Sequence, residues 1–315
     1  MRLVSWAETD FFFEDLIRNN VPSLKKVKFT HHKSWFVNRS YLKEAIHILQ
    51  QVISLAFSSR NESLILFGTN LCRIMFVFFI FRKNVIFVYN ELPSFNKRTS
   101  AGILDYLIFK MKHEKIAVSS IERKTLCEDK FGVSIDIVLN NIPRLKKLNN
   151  TQRKIDKILY AGVINKHRFP EEVCQQLASI NVKLDLLGVI IDPCVIDEIP
   201  TATYLGKLPY ESSQALQYEY KYGLLSYSTS DYNNDYCAPI KIYEYINAGC
   251  VCVTVNNNKG LQTFMTKYPK LFVKLAEIKD YNYDFHDFSI QREQFLSEEL
   301  KLLKSSVQTV LNSVE

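Results

Sequence analysis

The feature that most constrains this chain is an alternation that sets in at about residue 64. Short apolar runs rich in β-branched and aromatic residues are separated by longer stretches with helical periodicity. Leu64-Ile65-Leu66-Phe67, Val85-Ile86-Phe87-Val88-Tyr89, Ile116-Ala117-Val118-Ser119 and Ile135-Asp136-Ile137-Val138-Leu139 read as buried strands. Between the first of these and the N-terminus, Tyr41–Phe57 places Leu42, Ala45, Ile46, Leu49, Val52, Ile53 and Ala56 at three- and four-residue steps, a helix. Strands alternating with helices imply parallel βαβ units.

A polar, basic break from Lys146 to Lys154 interrupts the series, and the alternation then resumes. Strands are expected at Ile158–Tyr160, Leu184–Leu187, Ala202–Leu205, Leu224–Tyr227 and Val251–Val255, with helices at Pro170–Ile180 and Pro239–Ala248. A last helix carries Phe295, Leu296, Leu300, Leu303, Val307 and Val310 on one stripe. A chain of 315 residues exceeds the usual size of one core. Two domains are therefore expected, with the boundary in the basic break.

Composition narrows the class. Hydrophobic residues at 47% and charged residues at 23% are globular values. The N-terminal run lacks the pattern of a secretory leader. The most apolar stretch, Ile74–Phe81, is bracketed by Arg73 and Arg82-Lys83, far short of the ~20 residues that a spanning helix needs. A soluble, cytoplasmic protein is expected. Seven cysteines without a Cys-x-x-Cys pair suit buried free thiols in a reducing compartment, and no structural zinc is expected. Residues 1–150 carry 23 Lys+Arg against 13 Asp+Glu, whereas residues 151–315 carry 17 against 20. Only the first half is thus suited to an anionic partner, whether a membrane surface, a phosphorylated acceptor or a nucleic acid.

Residues 239–249, Pro-Ile-Lys-Ile-Tyr-Glu-Tyr-Ile-Asn-Ala-Gly, lead into the strand Cys-Val-Cys-Val-Thr. They resemble the Pro-x-Lys-x-x-Glu-Tyr-x-x-x-Gly segment of GT-B glycosyltransferases, above all family 4 and its bacterial relatives. Other elements fall in that family's order. Ile158-Leu-Tyr-Ala-Gly162 with Lys166 and Arg168 is similar to the strand and phosphate loop that open the donor domain. Leu184-Asp-Leu-Leu-Gly188, Tyr204-Leu-Gly206-Lys-Leu-Pro209 and Tyr222-Gly-Leu-Leu-Ser-Tyr-Ser228 resemble the elements that follow. Val88-Tyr-Asn-Glu-Leu-Pro93 and Val138-Leu-Asn-Asn-Ile-Pro143 sit where the first domain has related motifs. The likeness is good over residues 84–260 and poor over the first eighty.

The resemblance implies an α/β chain of GT-B architecture, with two Rossmann-like, doubly wound parallel-sheet domains facing a central cleft. Residues 1–148 would form the acceptor-side domain and 149–286 the donor domain, and the helix of 287–315 would return across the interdomain region. It further implies a retaining, metal-independent glycosyltransferase that needs no cofactor. Its partners would be a nucleotide-sugar donor and a glycan or lipid-linked acceptor, in synthesis of bacterial capsule, O-antigen or another surface polysaccharide. An epimerase of the same architecture and a basic, non-catalytic binding module stand as alternatives.

Chemistry accounts for the residue types. Proline suits the first helical position, where an N–H would have no partner. The amides of Ile240, Lys241 and Ile242 would then point from a helix N-terminus, a natural diphosphate site. Lys241 and Glu244, three residues apart, share a helix face. The resemblance implies that Glu244 accepts from the ribose hydroxyls and Lys241 neutralises phosphate. Gly162, Lys166 and Arg168 would approach from the first loop and Ser228 from the strand end. Lys241–Glu244 also reads as an ordinary surface ion pair, and Lys166 and Arg168 as solvated loop residues. Glu91 matches the acidic position of an interdomain His-Glu-like motif, but Asn90 replaces the His. A structural hydrogen bond and acceptor activation are equal readings for Glu91.

The family's second Glu, eight positions before Glu244, is Tyr236 here, beside Asp235. Val163 replaces the Arg usual after the first glycine, and Ser5–Asp10 lacks the first domain's glycine loop. Lys25–Lys43 interleaves Lys25, Lys26, Lys28, Lys33, Arg39 and Lys43 with Phe29, Trp35, Phe36 and Tyr41. That segment reads equally as a seat at the anionic inner face of a membrane and as a solvated loop. No nucleic-acid partner and no metal ligand set are expected.

Overall fold

A computed structural model of the protein describes residues 1–5, 12–28, 41–58, 62–140, 142–143, 154–230 and 232–314. The chain divides into two compact units, Met1–Asn140 with Lys301–Glu315, and Asn141–Leu300.

The first unit is a parallel sheet of β1 (Arg2–Ser5), β2 (Lys25–Lys28), β3 (Leu64–Phe67), β4 (Val85–Tyr89), β5 (Ile116–Val118) and β6 (Ile137–Val138), in the order β2-β1-β3-β4-β5-β6. Its helices are α1 (Phe12–Asn20), α2 (Tyr41–Ser58), α3 (Thr69–Phe79), α4 (Ser100–Lys112) and α5 (Ile121–Phe131). From β2 onward every crossover steps the same way along the sheet. Right-handed connections then put α2 to α5 in one layer, as neighbours in that order. β3, β4 and β5 are buried along their whole length, as runs apolar on both faces require. Cys72, Met75, Phe76 and Phe79 of α3 and Ile108 and Phe109 of α4 close the core over Leu64, Leu66, Val85 and Phe87.

Lys25–Lys28 is an edge strand and not part of a loop, and Lys26 pairs with Glu14 at 3.2 Å. Lysines on an edge strand discourage a further strand from adding, which is reason enough for their presence. Lys33, Phe29, Trp35, Phe36 and Arg39 lie outside the described residues, as do Trp6–Asp10 and the basic break between residues 144 and 153.

The second unit holds β7 (Lys154–Ala161), β8 (Lys183–Leu187), β9 (Ala202–Tyr204), β10 (Tyr220–Leu225), β11 (Val251–Thr254) and β12 (Phe272–Lys274), again all parallel. Its helices are α6 (Glu171–Ile180), α7 (Cys194–Asp197), α8 (Tyr210–Gln217), α9 (Tyr232–Asp235), α10 (Ile240–Ala248), α11 (Lys259–Lys267) and α12 (Phe285–Val314). The order β12-β11-β10-β7-β8-β9, counted from β7, is the Rossmann order, and it reverses between β7 and β10. The strand expected at Leu224–Tyr227 instead ends at Leu225. Ser226 and Tyr227 continue beyond it, buried at the carboxyl edge.

α12 spans the division between the units at Leu300 and Lys301. In the second unit Arg292 donates to the carbonyls of Ile246 (2.9 Å) and Asn247 (2.7 Å), closing the C-terminus of α10. In the first, Ser306 Oγ accepts from the Val138 amide at 3.1 Å. Among the described residues, no helix is long and apolar enough to cross a membrane.

Candidate functional site

In an open parallel sheet, ligands bind outside the carboxyl ends of the strands where the order reverses, because connections leave that point in opposite directions and open a crevice. In the second unit this point lies beyond Ala161 of β7 and Leu225 of β10. The loop after β7 starts at Gly162, which lies almost in contact with a side chain from α10. A β-carbon there would sit 2.6 Å from Lys241 Nζ and 2.7 Å from its Cε. Gly188, which follows β8, packs backbone on backbone, and a β-carbon there would meet the Gly162 carbonyl oxygen at 1.9 Å. Gly188 is needed for the close approach of two backbones, whereas at Gly162 the neighbour is the end of the Lys241 side chain.

Lys241 thus folds back over the loop, between two tyrosine rings. Its ammonium lies 5.2 Å from the centre of Tyr160 and 5.7 Å from that of Tyr227, with the Tyr227 hydroxyl at 3.4 Å. The Arg168 guanidinium covers the Tyr227 ring at 4.0 Å and donates to Asn234 Oδ1 at 3.1 Å. Ser226 Oγ holds the Arg168 carbonyl. Burial first, and then Arg168 nearby, together lower Lys241 to about 8, with Glu244 partly opposing them. Two half-buried cations and the positive end of a helix therefore converge where water is partly excluded.

Pro239 is the N-cap of α10, in extended conformation, and not its first helical residue. The Ile242 amide is therefore taken within the chain, donating to the Pro239 carbonyl at 3.0 Å. The amides of Ile240 and Lys241 remain as the outward donors of the first turn. Glu244 is only 8% exposed, and its Oε1 accepts from Tyr210 Oη at 2.8 Å and from Gln214 Nε2 at 3.4 Å. Among the described residues no ion pair joins Lys241 and Glu244, so the surface-pair reading of these two does not describe the structure.

The structure brings Gly162, Arg168, Pro239, Ile240, Lys241 and Glu244 to this carboxyl edge, and gives the other candidates different partners. Lys166 pairs with Glu198, half-exposed, and its backbone amide donates to Asp192 at 2.8 Å. Ser228 shares a hydrogen bond with Ser230 at 2.7 Å in the loop after β10. Asp235 is committed to α11, accepting from the Lys259 amide at 3.1 Å and pairing with its ammonium. In the first unit Glu91 is exposed, and its backbone, not its carboxylate, makes the hydrogen bonds, both to Thr69 Oγ1. Asn90 Oδ1 accepts from the Thr69 amide at 3.1 Å, capping α3.

Sequence reasoning passed over Tyr160, Tyr227, Tyr210 and Gln214. The first two lay in runs read as strand. A buried tyrosine nevertheless needs a partner for its hydroxyl, and Tyr160 finds the Val163 carbonyl at 2.8 Å.

No family model and no curated protein matches the sequence. Solved structures do match. Sucrose-phosphate synthase from Thermosynechococcus elongatus aligns with a TM-score of 0.61 and 11% identity, over 100% of this chain and 95% of that one. AviGT4, a glycosyltransferase involved in avilamycin A biosynthesis, aligns with a TM-score of 0.56 and 12% identity, over 99% and 96%. S. aureus TarM, in a complex with fondaparinux, alpha-GlcNAc-glycerol and UDP, aligns with a TM-score of 0.53 and 12% identity, over 84% of this chain. The chain spans only 55% of the length of TarM. At such identities the likeness speaks for the fold, and it agrees with two parallel six-stranded sheets sheathed in helices: the chain has the GT-B fold.

Proposed function

We propose that the protein is a glycosyltransferase that binds a nucleotide-sugar donor at the carboxyl edge of its second unit. The observation that carries this reading is Lys241, laid over Gly162 beside Arg168, at the first turn of a helix with no side-chain cap. A cation at the positive end of a helix, partly stripped of water, is unfavourable until an anion arrives. A nucleoside diphosphate is such an anion. Its phosphates would take the Ile240 and Lys241 amides and the two cations, and its ribose hydroxyls would meet Glu244.

The same groups serve transfer. As the bond from sugar to diphosphate breaks, negative charge grows on the leaving diphosphate. Cations already fixed in place stabilise that charge without reorganising. Lys241 and Arg168 supply the positive charge for this step, which makes the reading metal-independent. An acceptor that is a glycan or a lipid-linked sugar, a role in bacterial surface polysaccharide and retention of configuration rest on the sequence resemblance alone, and a cytoplasmic location rests on the composition and the scattered cysteines.

The test is calorimetric titration of UDP and GDP, with chelator present, against the protein and Glu244→Ala. A carboxylate accepting two hydroxyls contributes roughly 1.5–3 kcal/mol per bond, so affinity should fall by an order of magnitude or more. Unchanged affinity would move the ribose away from Glu244, and binding that chelator abolishes would refute the metal-independent reading. An epimerase would use the same nucleotide site. Product analysis separates the two, since an epimerase returns an altered nucleotide sugar where a transferase releases the nucleotide.

A further inference from the structure

Ser228, expected to reach the donor from the end of its strand, is taken up with Ser230, and the side chain that meets the cations is that of its neighbour Tyr227. Tyr227 lies two residues beyond β10 and is 4% exposed. Its carbonyl accepts from Asn256 Nδ2 at 2.9 Å and from Asn258 Nδ2 at 3.4 Å, so two asparagines after β11 fix its backbone. The Arg168 guanidinium lies 4.0 Å over its ring, and Oγ of the preceding residue, Ser226, donates to the Arg168 carbonyl. Ring and guanidinium are therefore placed as a pair.

The hydroxyl carries the argument further. An ammonium has only protons to give, so Lys241 Nζ donates to Tyr227 Oη at 3.4 Å. Burial raises the phenol well above its ordinary value, and it keeps its own proton. Among the described residues nothing accepts that proton. A buried O–H without an acceptor is costly until one arrives. The surroundings name the acceptor. Neither Lys241 nor Arg168 forms an ion pair among the described residues, and the guanidinium makes one hydrogen bond, to Asn234. The rings of Tyr160 and Tyr227 stand where carboxylates could have paired with these cations. A ring attracts a cation through its quadrupole and brings no net charge, so the positive charge stays available to a ligand. An O–H beside two uncompensated cations calls for an anionic oxygen.

We propose that Tyr227 is a phosphate-binding residue of the donor site. Its hydroxyl accepts from Lys241 and donates to an oxygen of the diphosphate, and its ring holds Arg168 in place for the same group. The proposal rests on the donor-site reading and adds a third side chain to the diphosphate contacts. As the bond to the sugar breaks, the same O–H meets growing negative charge without moving.

The experiment is calorimetric titration of the full chain at pH 7, with chelator present, against UDP, GDP, ADP, CDP and dTDP and against the matching nucleosides. Tyr227→Phe keeps the ring and removes the hydroxyl. It should weaken diphosphate binding about tenfold and leave nucleoside binding unchanged. Tyr227→Leu removes the ring as well, and diphosphate affinity should fall about a further fivefold or more. Circular dichroism checks the fold of both, and Tyr227→Phe decides the matter even where the leucine variant does not fold. Equal diphosphate affinity in Tyr227→Phe, or equal losses for nucleoside and diphosphate, would overturn the role of the hydroxyl and leave the nucleotide site standing. Binding of none of the five by the unaltered protein would overturn both.

Discussion

Two helix N-termini at carboxyl edges, one in each unit, are finished differently. In the first unit the start of α3 is closed, because Asn90 Oδ1 accepts the Thr69 amide at 3.1 Å. In the second the start of α10 follows a proline without a side-chain cap and carries Lys241 in its first turn, the wrong charge for that end of a helix. The far end of α10 is finished with care, by Gly249 in left-handed conformation and by Arg292 on its last carbonyls. A helix satisfied at one end and without a side-chain cap at the other is what the proposed diphosphate site calls for. The α3 terminus has been filled from within the chain.

The largest effect should come from emptying the open end. Arg168→Ala with Lys241→Ala should weaken nucleoside diphosphate binding by about two orders of magnitude, since each cation contributes charge-assisted hydrogen bonds to phosphate. The free nucleoside should be affected much less. If calorimetry gave equal losses for nucleoside and diphosphate, the cations would not be contacting phosphate and the contrast between the two termini would collapse.

Titration of Lys241 sharpens the comparison, because it predicts opposite signs for stability and binding. The folded value of about 8 lies below the ordinary 10.5. Between these limits the unfolded chain holds more protons, so the contribution of this residue to stability rises with pH through the window. Below about pH 8 both states are protonated and the cost of the buried ammonium is constant. A diphosphate needs the charged form, so binding above pH 8 must recover a proton. Affinity should then fall, by up to about tenfold per pH unit. Thermal melts and titrations of the protein and Lys241→Met, compared as differences across pH 7 to about 10.5, isolate this residue from other groups that titrate there. A flat difference would mean that Lys241 is already well solvated.

What the sequence disclosed follows from which forces are local. β3 and β4 match their apolar runs because a strand buried on both faces must be apolar throughout. β2 was read as part of a loop, since an edge strand needs no apolar face and Lys-Lys-Val-Lys offers none. At the site, Lys241 and Glu244 were picked out by the resemblance of residues 239–249 to the GT-B segment, and helical spacing added only that they share a face. Their separate fates were not legible, because Tyr160, Tyr227 and Tyr210 lie 81, 14 and 34 residues from the side chains they meet. Lys166 and Arg168, two residues apart, looked equivalent. Only the fold reveals that Glu198 takes one and the Tyr227 ring holds the other.

A smaller effect is expected at the closed terminus. Asn90→Ala removes the side-chain acceptor of the Thr69 amide, which should cost about 1 kcal/mol of stability, the usual value for a lost helix cap. Nucleotide affinity should be unaltered in the same protein. A change in affinity without a change in melting temperature would mean that the α3 terminus serves a ligand after all, and the two ends would have to be treated alike.

The smallest effect concerns the hydroxyl that now occupies Glu244. Tyr210 Oη donates to Glu244 Oε1 at 2.8 Å, and Gln214 Nε2 approaches the same oxygen at 3.4 Å. A ribose presenting two hydroxyls to this carboxylate would compete with Tyr210 for one of its lone pairs. The Tyr210 ring is exposed at the first position of the short helix α8, so it can turn away with little loss of packing. Tyr210→Phe removes the competitor, together with the hydrogen bond that Gln214 Nε2 donates to Tyr210 Oη at 2.6 Å, and leaves the ring and the approach of Gln214 to Glu244. The unliganded protein should lose about 1 kcal/mol in all for the hydrogen bonds of this exposed hydroxyl, while nucleoside and nucleoside diphosphate should both bind severalfold more tightly. The opposite result, weaker binding of both, would show that Tyr210 steers the carboxylate toward ribose and does not stand in for it. Equal binding would separate Glu244 from the ribose altogether, a conclusion that the Glu244→Ala titration would have to share.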